Sequence, residues 1–365
     1  MRSALALARR GLGKVAPNPA VGCILVRPDL GDRIVGRGWT QPGGRPHAET
    51  ESLVRAGALA EASTAYVTLE PCSHTGETAP CADALIAAKI ARVVVAMEDP
   101  DPRVSGRGIA KLRAAGIDVS VGAMASDAAE LNAGFINKTQ RVKPLYSLKT
   151  ATSMDGKVAT VSGHSRWITG PQARNTGHFL RAQNDAILVG IGTVLADDPA
   201  LTCRLPGLSQ MSPIRIVVDS KLRVTPSHRL VATARETPTW VCTTKAAASE
   251  KIITLETLGV KVLVLDTDAF SRVDLIDLSR HLAKDGLTRV LIEGGAALST
   301  GFLAKKLVDH IYWFRSTKII GGDGYDAVQE LGNSLINDTS AFTHRRTYDM
   351  GPDKLEILSQ DQPSL

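Results

Sequence analysis

HAETESLVRAGALAEASTAYVTLEPCSHTGETAPC, residues 47–81, decides the fold. Its first part, HAETESLVRAGALAEA, has the composition and apolar spacing of a helix beginning near His47. AYVTLE follows as a strand and PCSHTGETAPC as a loop. Forward from there, ADALIAAKI reads as a helix, ARVVVAM as a strand, GRGIAKLRAAGI as a helix and DVSVG as a strand. Backward, QPGGRP is a loop, VGCILV a buried strand set off by the breaker PNPA, and residues 1–11 carry apolar side chains at helical spacing. The first half is therefore alternating α/β.

At 365 residues the chain exceeds the usual size of one hydrophobic core, so two domains are expected. The segment NKTQRVKP, residues 137–144, is polar, basic and closed by proline, which predicts an extended connection rather than a continued helix. The boundary falls there, giving domains over 1–140 and 145–365. Beyond it the strand candidates are PLYSLKTA, DAILVG, IRIVVDS, TPTWVCT, VKVLVL, TRVLIE and HIYWFRS, with PQARNTGHFLRAQ among the helices. The second half is thus also α/β, with at least seven strands and no internal repeat.

Hydrophobic residues are 44% of the chain, charged residues 22% and aromatics 4%, which builds packed cores but offers few rings for stacking bases. A net charge of +6, from 43 basic and 37 acidic residues, is dispersed rather than gathered into a patch. These features argue against a nucleic-acid partner. Five cysteines, an odd number, and a start without a secretory h-region predict reduced thiols and a cytoplasmic protein. No apolar run reaches the length of a membrane-spanning helix, so no membrane partner is expected.

The chemistry begins at His47-Ala48-Glu49, Pro71-Cys72 and Cys81, because one imidazole and two thiolates form a ligand set for zinc and leave a fourth position for water. Zinc lowers the pKa of such a water from 15.7 toward about 7, which supplies the nucleophile for hydrolysis. On an ideal helix His47 and Glu49 would point roughly 200° apart, so Glu49 is cast as the proton carrier and not as a ligand. H-x-E followed by P-C-x-x-C is the zinc-deaminase signature; here eight residues, not two, separate the cysteines. The alternative is a closed structural site with His74 as fourth ligand. His74 is read instead as substrate-binding, and Cys23, Cys203 and Cys242 as structural thiols.

PNPAVGCILV, GRPHAE, VTLEPCSHTGETAPC, ATSMDGKVA, RWITG, DDPALT and IEGGAAL together resemble the bifunctional deaminase-reductase family of riboflavin biosynthesis, over nearly the whole chain. The long P-C-S-H-x-G-x-T-x-P-C loop is characteristic of that family. The resemblance implies an N-terminal cytidine-deaminase-like α/β/α domain followed by a dihydrofolate-reductase-like α/β domain, with Zn2+ and NADPH as cofactors and a homo-oligomeric assembly. The first domain would hydrolyse the 2-amino group of 2,5-diamino-6-(5-phosphoribosylamino)pyrimidin-4(3H)-one, and the second would reduce the ribosyl group to ribityl. Asn18 matches the substrate-binding asparagine of the family. Thr40 departs from it, standing where many members carry histidine, and so does Ala79, where proline is common.

For the reductase the resemblance assigns Ala151, Trp167, Thr193, Asp197, Ser220, Gly294 and Gly295 to the cofactor. It assigns Ser165, Arg181, Leu201, Arg204 and Glu293 to the phosphoribosyl substrate, whose phosphate calls for guanidinium partners. Gly294-Gly295 follows the strand VLIE, where glycines let backbone amides reach a phosphate. Gly11-Leu12-Gly13-Lys14-Val15-Ala16 fits a dinucleotide fingerprint but follows a helix, and is rejected. Lys157 in SMDGK is a further charge candidate, and no proton donor stands out. A nucleic-acid base deaminase would use the same metal logic but leaves the second domain unexplained. A nucleotide sensor would need neither Glu49 nor an open metal position.

Overall fold

The structure is a computed structural model that describes residues 1–74, 79–102, 104–332, 334–335 and 339–360. The chain divides into two compact units, Met1–Pro144 with Gly286–Thr288, and Leu145–Asp285 with Arg289–Leu365.

The first unit runs α1 (Arg2–Ala8), β1 (Gly22–Arg27), β2 (Arg33–Trp39), α2 (Ala48–Ala56), β3 (Thr64–Val67), α3 (Cys81–Ala87), β4 (Arg92–Val95), α4 (Arg107–Ala114), β5 (Asp118–Val121), α5 (Ala125–Leu131) and α6 (Ala133–Arg141). Its sheet has the order β2-β1-β3-β4-β5. β1 is antiparallel to both neighbours, whereas β3, β4 and β5 are parallel. Both faces are covered. Cys23, Leu25, Val67, Val93 and Val95 pack with Ala48, Leu85, Ile109 and Leu112 of α2, α3 and α4. Leu5 and Ala8 of α1 join Ala128 and Leu131 of α5 in a second cluster. Because the sheet is buried on both sides, its strands read as apolar runs rather than alternations.

The second unit contains β6 (Leu145–Thr152), β7 (Lys157–Ala159), α7 (Pro171–Ala182), β8 (Ala186–Gly190), α8 (Ile191–Asp197), β9 (Ile214–Val218), α9 (Arg229–Ala232), β10 (Thr239–Thr244), α10 (Ser249–Thr257), β11 (Lys261–Leu265), α11 (Leu275–Lys284), β12 (Arg289–Glu293), α12 (Ala296–Ala304), β13 (His310–Arg315), β14 (Tyr325–Asp326), β15 (Thr343–Met350) and β16 (Asp353–Ser359). The main sheet has the order β11-β10-β9-β8-β12-β6-β13-β16-β15. It is parallel through β13, and the last two strands are antiparallel. The seven expected strands are present. β15 and β16 were not anticipated, because THRRTYDM is almost wholly exposed and has no apolar face to announce it.

The connection between the halves differs from expectation. α6 continues through Lys138, Thr139 and Gln140 to Arg141, and the chain leaves it at Val142 in a left-handed conformation. Pro144 restricts only the residue before it. Upstream, Gly134, Ile136 and Asn137 are buried, which anchors the helix despite its polar sequence.

Candidate active sites

His47 precedes α2, Cys72 lies in the loop after β3, and Cys81 opens α3. Their ligand atoms all lie within 4.8 Å of one another. His47 Nδ1 is 3.3 Å from Cys81 Sγ and 3.7 Å from Cys72 Sγ. Tetrahedral zinc, with bonds of about 2.3 Å to sulfur and about 2.0 Å to nitrogen, sets its ligand atoms roughly 3.5–3.8 Å apart, so these residues fit the ion. The two thiols titrate together. A hydrogen bond from Cys81 is the largest cause drawing Cys72 well below the usual thiol range, and the same contact is the largest cause pushing Cys81 up. His74 is exposed and stays outside the cluster, as do Cys23, Cys203 and Cys242.

His47 has extended backbone angles and is not part of the helix. The expected divergence of His47 and Glu49 presumed that both were helical. The turn at His47 instead lets its imidazole and the Glu49 carboxyl line one cavity of about 570 Å³. Glu49 is 3% exposed. Burial, then the Cys72 charge, pushes its carboxyl up to about 7, a range in which it can both take and return a proton.

Asn18 lines the same cavity and donates from Nδ2 to the Gly44 carbonyl at 3.3 Å. Thr40 accepts from the Val21 N–H at 2.9 Å and donates to the Pro19 carbonyl at 3.1 Å, bracing the turn that carries Asn18. Asn132 grips that turn as well, through the Ala20 N–H and carbonyl. Asp99, Asp101 and Lys138 also face the cavity and were not singled out from sequence. They belong to stretches without a motif, so nothing local marks them.

In the second unit Trp167, Arg181, Arg204 and Glu293 line a cavity of about 140 Å³. Ala151, Ser165, Trp167, Gly294 and Gly295 line one of about 280 Å³. Lys149, Trp167, Thr169 and Arg174 border both. Arg181 is a fork on Glu293, with Nε to Oε1 at 2.8 Å and Nη2 to Oε2 at 2.9 Å, and it donates from Nη1 to the Thr202 carbonyl at 3.0 Å. Burial alone would raise the Glu293 carboxyl, but the Arg181 and Lys149 charges outweigh it and hold it at about 2. His178 is lowered, by burial first and then by Arg181 and Arg204.

Gly294 and Gly295 both have positive φ, and a side chain on either would stand 3.3 Å from Thr193 Oγ1. They link β12 directly to α12, so α12 begins beside the cavity. Leu201 is buried among Ile187, Val217 and Leu230 and lines neither cavity. Asp197 and Ser220 line neither cavity; Ser220 accepts the Val273 N–H through its hydroxyl. Lys157 is committed to Asp326 at 2.7 Å. Sequence reasoning missed Lys149 and Arg174. For Lys149 the signal was a lysine inside the buried strand LYSLKTAT, a placement that calls for a partner.

A deaminase-type metal pocket in an α/β/α unit, joined to a second α/β unit whose cavities are bordered by Gly294, Gly295 and the Arg181–Glu293 pair, is the arrangement of a two-domain enzyme that combines a zinc deaminase with a reductase. A family profile described as the cytidine and deoxycytidylate deaminase zinc-binding region matches residues 1–97, and one described as the RibD C-terminal domain matches 144–352. The riboflavin biosynthesis protein RibD of Escherichia coli is 43% identical over 364 residues, covering 97% of this chain and 96% of that protein. Among solved structures, Acinetobacter baumannii RibD (form 1) is 34% identical with a TM-score of 0.88, covering 99% of this chain and 98% of that one. A diaminohydroxyphosphoribosylaminopyrimidine deaminase/5-amino-6-(5-phosphoribosylamino)uracil reductase from Thermotoga maritima is 32% identical with a TM-score of 0.85, covering 98% and 97%.

The chain belongs to the RibD family of riboflavin biosynthesis proteins. It is a bifunctional enzyme that performs a deamination and a reduction in that pathway, with zinc as the cofactor of the deaminase. Among the described residues no helix is long and apolar enough to cross a membrane.

Proposed function

We propose that the first unit deaminates 2,5-diamino-6-(5-phosphoribosylamino)pyrimidin-4(3H)-one and that the second reduces the resulting uracil ribotide. The observation that carries this reading is the meeting of His47, Cys72, Glu49 and Asn18 at one cavity, with Cys81 completing the ligand set beside His47 and Cys72. His47, Cys72 and Cys81 would hold zinc, which would supply an activated water at neutral pH. Glu49 takes a proton from it and delivers one to the departing amino nitrogen, so ammonia leaves as the ring carbon gains oxygen. Asn18 holds the pyrimidine edge, and His74 reaches the substrate from the cavity mouth.

In the second unit NADPH supplies the hydride. The backbone N–H groups at Gly294, Gly295 and the start of α12 receive a cofactor phosphate, and Ala151, Trp167, Thr193, Asp197 and Ser220 complete the cofactor side. Ser165, Arg181, Leu201, Arg204 and Glu293 hold the ribotide. Lys149, whose Nζ is 3.9 Å from Glu293 and which borders both cavities, is the proton donor to the ring oxygen as the ribosyl ring opens. Arg204 is exposed and its side chain is the phosphate anchor. Replacing it by alanine should raise the KM of the reduction about 10- to 100-fold, the worth of charge-assisted hydrogen bonds, and leave deamination unchanged.

The chain works in the cytoplasm, a reading supported by five free cysteines and checked by fractionation, and as the homo-oligomer that the family resemblance implies, checked by sedimentation. The decisive assay follows ammonia and then NADPH on zinc-loaded protein given the diaminopyrimidine ribotide. Ammonia followed by NADPH consumption supports both assignments; ammonia alone overturns the substrate of the second unit, and neither overturns the reading.

A further inference from the structure

Glu70 stands two residues before the ligand Cys72 and is 3% exposed. Among the described residues its oxygens are met by four backbone N–H groups. Oε1 accepts from Gly108 at 2.8 Å and Ile109 at 3.2 Å, while Oε2 accepts from Gly106 at 2.9 Å and Asp99 at 3.1 Å. Gly108 and Ile109 belong to the first turn of α4, whose N–H groups have no partner within the helix. Asp99 and Gly106 flank the stretch that carries Asp101, Pro102 and Val104, and this stretch lines the cavity. One carboxylate therefore caps a helix and ties down both ends of a wall of the site.

The contact is tight as well as complete. A Cβ at Gly108 would lie 2.0 Å from the Pro71 carbonyl oxygen, so only glycine lets α4 start against the residue next to Cys72. Through Glu70 and Gly108 the chain beside Cys72 is held in one register with Asp99 and Gly106. Glu70 itself borders the cavity, and both its carboxylate oxygens are engaged in these four backbone bonds.

We infer that Glu70 is a positioning residue of the deaminase, which acts by holding the stretch with Asp99, Asp101, Pro102 and Val104 in place as a wall for the pyrimidine ribotide. The inference rests on reading this cavity as the deaminase substrate site. Glu70→Gln is the direct test, since the amide must turn its NH2 toward one of the two N–H pairs whichever way it lies. The KM of ammonia release should rise at least about 10-fold, the loss of two hydrogen bonds to a charged group, while kcat falls less than about threefold. Zinc should stay at one per chain, and reduction of the uracil ribotide by the same protein should be unchanged. Glu70→Asp keeps an acceptor on a shorter arm and should give an intermediate KM, so it decides the matter if the glutamine chain does not fold. A lower kcat at unchanged KM, or loss of zinc, would assign Glu70 to general stability or to the metal loop and overturn the inference. Failure of the unsubstituted protein to release ammonia would instead overturn the reading of the cavity itself.

Discussion

Glu49→Gln is expected to slow ammonia release by about two to four orders of magnitude, the usual worth of a positioned general acid/base. The substitution keeps the size of the side chain but removes its capacity to accept and return a proton. It touches none of His47, Cys72 and Cys81, so zinc content should stay at one per chain. Stability should not fall. Burial is the largest cause raising the Glu49 carboxyl from 4.5 to about 7, so stability is lost as pH rises from about 4.5 to about 7 and a neutral amide relieves that cost. Reduction of the uracil ribotide should proceed at the unsubstituted rate, because Glu49 and the cavities of the second unit belong to different compact units. The checks are ammonia release, zinc analysis, thermal melting and NADPH oxidation on the same preparation. Loss of both activities with zinc retained would contradict a two-site enzyme.

Much of this was legible in the sequence, for identifiable reasons. Strands of a sheet covered on both faces are apolar runs bounded by turn formers, and VGCILV, DAILVG and TRVLIE stand out for that reason. The metal set was legible because cysteine and histidine are sparse and each sits at the start of a helix or the end of a strand. Glu70 was not, since its role depends on backbone N–H groups that arrive 29 to 39 residues later in the chain, and no side-chain pattern records them. Lys149 needed the sheet order, which sets β6 beside β12 and so brings Lys149 to Glu293. The helical premise about His47 failed at one residue, where the extended backbone before α2 redirects the imidazole.

The second large effect is expected from Arg181→Ala. Side-chain exposure is 15% for Arg181 and 10% for Glu293, and both oxygens of Glu293 are held by the guanidinium. Removing it leaves a buried carboxylate with only Lys149, at 3.9 Å, which costs about 3–5 kcal/mol as for other buried pairs broken from one side. The Thr202 carbonyl loses its donor too, so the 201–204 segment that presents Arg204 loosens and reduction is lost. The pH dependence fixes the cause. Glu293 is depressed from 4.5 to about 2 in the folded protein, so the stability it lends is fully present above pH 4.5 and disappears as pH falls through about 2. Without Arg181 burial raises this carboxyl instead, and protonation on acidification then relieves the variant. Urea denaturation of the two proteins should therefore differ most at neutral pH and converge as the pH is lowered below about 4.5. A gap that does not narrow with acid would mean that Arg181 acts by packing alone, and that the charge on Glu293 contributes nothing to holding the site.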